Sequence, residues 1–217
     1  MPWPCRDTAG NGVALIAELE LLDWKRRVFA AYAEVRAASD PEAAWRRWRA
    51  ARDELFRTHP QSPLPEDERA SHPGVPYFDY DPALRALAVV EPADSTDTQI
   101  GSSGEETIAF RRFARARFEI GGEEEALELF WLTAYGGGVF VPFRDATSGA
   151  DTYGGGRYLL DTVKGADLGT DDGRVVLDFN FAYNPSCSYD PRWVCPLSPP
   201  ANRLPLAIRA GERMSVE

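Results

Sequence analysis

The side chains best suited to chemistry crowd into one stretch, residues 143–202. Arg157 carries a planar, permanently charged fork that binds two oxygens of a carboxylate or phosphate at once. Asp145 and Asp178 are carboxylates fit for general acid/base work, with Tyr183 or Tyr158 as an orienting donor. Asn180, Asn184, Cys187 and Tyr189 add groups that donate, accept or stack. Pro185 and Pro191 brace the loop of residues 183–191 into a polar wall, and loops on a rigid scaffold are where sites concentrate. These residues suggest a pocket for a small polar or anionic metabolite. Its catalytic candidates are Asp178, Asp145 and Tyr183, and its binding candidates are Arg157, Tyr158, Asn180, Asn184, Cys187 and Tyr189.

The same residues support a second reading. A buried arginine must be paired with something, and Asp145 or Asp178 can neutralise Arg157 as readily as a ligand can. Asn and Tyr in the loop would then satisfy backbone groups of an irregular crossover. The outcome is a non-catalytic structural or protein-interaction domain, with a buried hydrogen-bond lattice and a helical hairpin as the partner surface.

Other chemistries find less support. Cys187 and Cys195 are separated by seven residues, and Pro196 follows the second, which is not a zinc-finger spacing; no metal is expected. The pair would join under oxidants, but two reduced, mostly buried thiols are the expectation for a cytoplasmic chain. A Cys187 nucleophile would need His59 or His72 as base, and no motif ties either to that loop. Ser62, Ser148 and Ser186 lack the Gly-x-Ser-x-Gly elbow. Gly136, Gly137 and Gly138 after Tyr135, and Gly154, Gly155 and Gly156 after Tyr153, lack the Lys-Ser/Thr of a phosphate-binding loop and the dinucleotide spacing. They read as turns, and no cofactor is expected.

The elements that must position these groups show in the periodicity. Leu15, Ile16, Leu19, Leu22, Val28, Phe29, Tyr32 and Val35 recur at spacings of three and four, an amphipathic helix over about 13–38. Asp40 and Pro41 restart it as a second helix to about Arg57, giving an antiparallel hairpin over residues 13–58. Residues 1–12 are a lead-in that frays, and residues 59–82 hold six prolines, a connector rather than a helix. Over 83–212 the period drops to about two. Strands are expected at 77–80, 84–90, 114–120, 126–132, 139–143, 157–160, 175–181 and 204–209. Gly121-Gly122 is a hairpin turn, and Asp178 and Asn180 face away from Leu177, Phe179 and Phe181. The fold class is α+β, mainly β: a helical hairpin packed on an antiparallel sandwich or barrel of about seven or eight strands.

Composition bounds the partners. With 217 residues, 44% hydrophobic, the chain makes one sizeable core. A net charge of −10 argues against nucleic acid. The arginines at 46, 47, 49, 52 and 57 are therefore read as a solvated helix face, with Trp45 and Trp48 packed inward. No apolar run reaches the roughly 20 residues of a membrane span, and Met1-Pro2-Trp3-Pro4-Cys5 has no basic region before an apolar stretch, so no membrane partner and a cytoplasmic location are expected.

One further pattern is joint. Residues 143–149 and 152–158, then Asp178, Phe179, Asn180, Ala182, Tyr183, Asn184, Pro185, Cys187, Tyr189, Cys195, Pro196, Pro199, Pro200, Asn202, Ala210, Gly211 and Glu212 resemble a bacterial and archaeal family known as domain of unknown function 1684. Pro60, Gln61, Ser62, Pro63 and Leu64 match it too. The resemblance spans the chain from about Leu15 onward and implies no particular activity.

Overall fold

The computed structural model describes residues 11–133 and 135–214, with side chains from residue 16 onward. Two helices open the fold, α1 (Asn11–Ala37) and α2 (Pro41–Thr58). The joint is short because Asp40 caps α2: its carboxylate accepts from the Ala43 amide at 3.0 Å, and Pro41 sits where no N–H is needed. The connector contains one short helix, α3 (Glu66–Arg69), which composition alone does not reveal among so many prolines. It is pinned at its start, where Ser62 Oγ donates to Phe56 O and accepts from the Leu64 amide.

Seven antiparallel strands follow: β1 (Arg85–Gly101), β2 (Thr107–Ile120), β3 (Glu123–Leu132), β4 (Val139–Phe143), β5 (Arg157–Asp161), β6 (Thr170–Asp171) and β7 (Arg174–Asp178). Their order in the sheet is β5-β4-β3-β2-β1-β7-β6, so the sheet has two edges and does not close into a barrel. The β2–β3 turn has φ of 62° at Gly121 and 80° at Gly122, the two left-handed positions of a tight hairpin loop. β1 runs well beyond the expected 84–90. Pro92 is absorbed at a register shift between Pro92 and Thr96, where its missing N–H is tolerated.

Three expected strands are corrected. Residues 77–80 contribute only a bridge from Tyr77 to Glu212, between Pro76 and Pro82. Residues 204–209 form no strand: Pro205 interrupts them, and the Ile208 carbonyl is taken by a side chain rather than a neighbouring strand. The strand expected at 175–181 ends at Asp178, whose carboxylate caps a tight turn over Phe179–Phe181 by accepting from the Asn180 amide at 3.0 Å. Asp178 and Asn180 therefore do not project from the back of a strand. Both are buried, as are the three phenylalanine and leucine neighbours.

The sheet buries both faces. One carries Ala88, Ala116, Leu127, Val141, Leu159 and Leu177, closed by Leu204, Ile208 and Ala210 from the C-terminal segment. The other receives the hairpin: Tyr32, Trp45 and Trp48 pack with Phe110, Phe140 and Phe181. Trp45 Nε1 donates to Asn180 O at 2.8 Å, and Arg36 donates to Asp167 O at 2.6 Å, so both helices are also tied by directional bonds to the segments that flank β6 and β7. Among the described residues no helix is long and apolar enough to cross a membrane.

Candidate functional site

Arg157 opens β5 and is 1% exposed. Its Nη1 donates to the carbonyls of Ala210 and Glu212, and its Nη2 to Ile208 O (3.0 Å) and Asp145 Oδ2 (3.1 Å). Its plane lies 5.0 Å from the Phe143 ring centre. Burial lowers its pKa to about 10, opposed by the charges of Asp145 and Glu212, so it stays cationic at neutral pH. Asp145 is equally occupied. Oδ1 accepts from the Thr147 amide, the Thr147 hydroxyl and the Ser148 hydroxyl, and Oδ2 accepts from Arg157 and the Ile208 amide. The pair staples the C-terminal segment to β5, and both charged groups spend their valence on the protein.

Asp178 and Asn180 form a second cluster. Asp178 Oδ1 accepts from the Asn180 amide and from Asn180 Nδ2 at 2.8 Å, while Asn180 Oδ1 accepts from the Asp81 amide and Nδ2 also donates to Asp81 O. Tyr80 OH approaches Asp178 Oδ2 at 3.5 Å. Burial raises Asp178 to about 6, against the Asn180 hydrogen bonds and the Arg85 charge that lower it. The cluster holds the approach to β1 against the end of β7.

Tyr158 and Tyr183 meet through the backbone, each amide donating to the other's carbonyl (2.8 and 3.1 Å), with rings edge-on at 5.7 Å. Burial pushes both phenols well above their ordinary value, so neither is a proton acceptor at neutral pH. Tyr158 OH donates to Pro196 O. Tyr189 packs edge-on against Phe56 at 5.2 Å, and Cys187 lies 3.7 Å from the Tyr153 hydroxyl.

Asn184 joins a third cluster that residue types alone did not assemble. Glu212, fully buried, accepts from the Asn184 amide (3.0 Å) and from Arg52 Nη2 (2.7 Å) through Oε2. Arg52 also donates to Tyr77 OH at 2.8 Å and lies among the rings of Trp48, Phe56 and Tyr183. Burial raises the Glu212 pKa, and Arg52 lowers it. Glu212 Oε1 and Asn184 Oδ1 have no hydrogen-bond partner among the described residues. The turn that aims Glu212 needs glycine: Gly211 has φ 74°, and a Cβ there would lie 2.6 Å from Ala182 O. Arg52 follows Trp48 by one helical turn, on the buried side of α2. That spacing is the signal that this arginine belongs inside, and it corrects the reading of the basic stripe as wholly solvated. Arg49 likewise stacks on Trp45 and Tyr77 (4.6 and 4.5 Å), whereas Arg46, Arg47 and Arg57 are exposed.

The nine candidate residues thus divide among several groups, of which those of Arg157 and Asn184 share Glu212. A cleft of about 430 Å³ lies elsewhere, between α1 and the end of α2, lined by Ile16, Leu19, Asp23, Arg27, His59 and Pro60. His59 Nδ1 accepts from the Gln61 amide at 3.0 Å, and its Nε2 faces Asp23 at 3.3 Å, so both ring nitrogens are engaged. Among the described residues no three His, Cys, Asp or Glu side chains are placed to hold a metal ion, and Cys187 and Cys195 are free thiols.

No curated protein matches the chain. A solved structure does: the solution NMR structure of the uncharacterized protein from gene locus rrnAC0354 of Haloarcula marismortui is 36% identical, with a TM-score of 0.56 over 81% of this chain and 95% of that one. Residues 70–213 match the family described as "Protein of unknown function (DUF1684)", and the chain belongs to that family.

Proposed function

We propose that this is a non-catalytic interaction domain in which the buried polar clusters hold the fold and the helical hairpin carries the partner surface. The observation that supports it most is the saturation of Arg157 and Asp145: every bond described for the guanidinium's Nη groups ends on a protein oxygen, leaving no fork for an anionic ligand. The hairpin, by contrast, exposes Ile16, Leu19, Leu22 and Phe29 on α1, and the first two line the cleft at His59. The acidic chain acts in the cytoplasm on this reading.

A second reading rests on Glu212 Oε1 and Asn184 Oδ1. Both are buried acceptors, so a small ligand there would be a donor such as an amine rather than an anion. Thermal unfolding against a library of amines and carboxylates separates the two. On the interaction-domain reading no compound shifts the midpoint, and Arg157→Met unfolds much earlier than the parent chain. An amine that raises the midpoint in the parent but not in Asn184→Ala, with the apo midpoints equal, would overturn it in favour of the ligand site.

A further inference from the structure

The hairpin turns one face of α1 outward. Leu19 and Leu22 are 57% and 42% exposed, and with Arg26, Phe29 and Ala33 they recur at spacings of three and four, the period of a coiled-coil seam. The side of α1 that joins the core is a different stripe, Val28, Tyr32 and Val35. A Cβ at Gly165 would lie 2.9 Å from the Phe29 ring, so Phe29 already rests against the fold. The uncovered part of the seam is therefore Leu19 and Leu22, with exposed Ile16 beside them.

The charges along this seam divide by sign. Glu18 and Glu20 lie toward its start, and Lys25, Arg26 and Arg27 toward its end. Arg27 is bonded to Asp23 at 2.8 Å, and Glu20 accepts from Gln61 Nε2 at 3.2 Å. Glu18, Lys25 and Arg26, by contrast, have no hydrogen-bond or ion-pair partner among the described residues. With Leu19 and Leu22 as the two seam positions of a heptad, Glu18 and Lys25 both flank the seam on one side and Asp23 flanks it on the other. Two such helices running the same way would set Glu18 against the partner's Asp23, like against like. Running oppositely, with a two-fold axis between Leu19 and Leu22, each Leu19 meets the partner's Leu22 and each Glu18 meets the partner's Lys25.

From this self-complementarity we infer that the hairpin's partner is a second copy of the chain, joined through antiparallel α1 helices about a two-fold axis. The inference rests on the interaction-domain reading and names its partner. A two-fold contact uses one patch twice, so a face that carries both members of an ion pair is completed by its own copy. The flanking charges set the direction of the helices, and the leucines supply the apolar contact. One helix face is at the small end of specific interfaces, so the association is reversible and depends on concentration.

Sedimentation equilibrium of the full chain, with reductant present and across micromolar to submillimolar concentrations, tests this. The expected result is an equilibrium between monomer and dimer. Leu22→Glu sets an unpaired carboxylate in the seam and should weaken association at least about tenfold. Glu18→Lys and Lys25→Glu should each weaken it by placing like charges together, and the two combined should restore it, because the pair is then only reversed. All of these variants should keep the parent's thermal midpoint at low concentration. Should Leu22→Glu fail to fold, the charge reversals decide alone. A chain that is monomeric throughout, a dimer that Leu22→Glu leaves intact, or a double reversal no better than the single ones overturns the inference. The interaction-domain reading falls separately: it survives a monomer whose midpoint no amine shifts, and it fails with an amine response that Asn184→Ala abolishes.

Discussion

Two buried arginines hold the C-terminal segment, and they do it in opposite ways. Arg157 is 1% exposed and distributes its charge over three backbone carbonyls and one carboxylate that is itself fully engaged. Arg52, with 15% of its side chain exposed, sits among aromatic rings and leans on Glu212, whose second oxygen has no partner among the described residues. In the first arrangement both Nη groups end on protein oxygens, so it specifies where residues 208–212 must lie. The second joins α2 to the same segment through a carboxylate that burial already disfavours as an anion. On the interaction-domain reading Arg157, whose described Nη bonds all end on protein oxygens, is a staple for this segment rather than a ligand contact.

The largest effect should follow from breaking the first arrangement. Arg157→Met leaves Asp145 charged and unpaired in the interior and removes the donor from three carbonyls, a loss of about 3–5 kcal/mol or failure to fold. Urea unfolding at pH 7 measures it. A loss under about 1 kcal/mol would show that the pair is dispensable and would return Arg157 to the list of candidate ligand contacts.

Arg52→Met should be milder, about 2–3 kcal/mol, because Glu212 can escape by protonation. The sign is set by Glu212, whose folded pKa lies above its ordinary 4.5. Its contribution is full below about pH 4.5 and is lost as pH rises through the raised folded value. Removing Arg52 raises that value further, so the variant's deficit should grow as pH rises through the parent's raised folded value and shrink in acid. An equal deficit at every pH would mean that Glu212 does not feel Arg52.

How far all this could be read from the residues follows from what each reading depended on. The hairpin, the Gly121-Gly122 turn and the strands at 139–143 and 157–161 were legible because period and turn chemistry are local. The strand expected at 175–181 was not, since Leu177, Phe179 and Phe181 alternate whether the chain stays extended or turns at Asp178. Apolar alternation cannot see a carboxylate capping a turn two residues on. Of the clusters, the Arg157–Asp145 pairing was foreseen as one of two alternatives. The Arg52–Glu212 pairing was not, because its members are 160 residues apart and only the packed hairpin brings them together. Long-range pairing of single charged residues leaves no periodic trace.

Asp178 tests a third kind of buried charge, one held by neutral amides rather than by an arginine in contact. Its folded value of about 6 exceeds its ordinary 3.8, so its contribution is full below about pH 3.8 and declines as pH rises through about 6. Asn accepts the same two bonds from Asn180 and caps the turn equally well. Asp178→Asn should therefore stabilise the chain at pH 7 by about 1–3 kcal/mol and flatten its stability between pH 4 and 6. Destabilisation at pH 7 would assign the carboxylate a role that an amide cannot fill.

The smallest effect sharpens the comparison most, because it asks whether the two arginines belong to one structure or two. Trp45→Phe keeps ring contact with Tyr77 and Tyr80 but deletes the Nε1 donor to Asn180 O, a loss of about 1 kcal/mol. Trp45 shares Tyr77 with Arg52, which bonds its hydroxyl, and shares no described partner with Arg157. In double-mutant cycles Trp45→Phe should add to Arg157→Met within about 0.5 kcal/mol and should deviate from additivity with Arg52→Met by more than that. The reverse pattern would place the hairpin's attachment on the Arg157 staple and make Tyr77 a bystander.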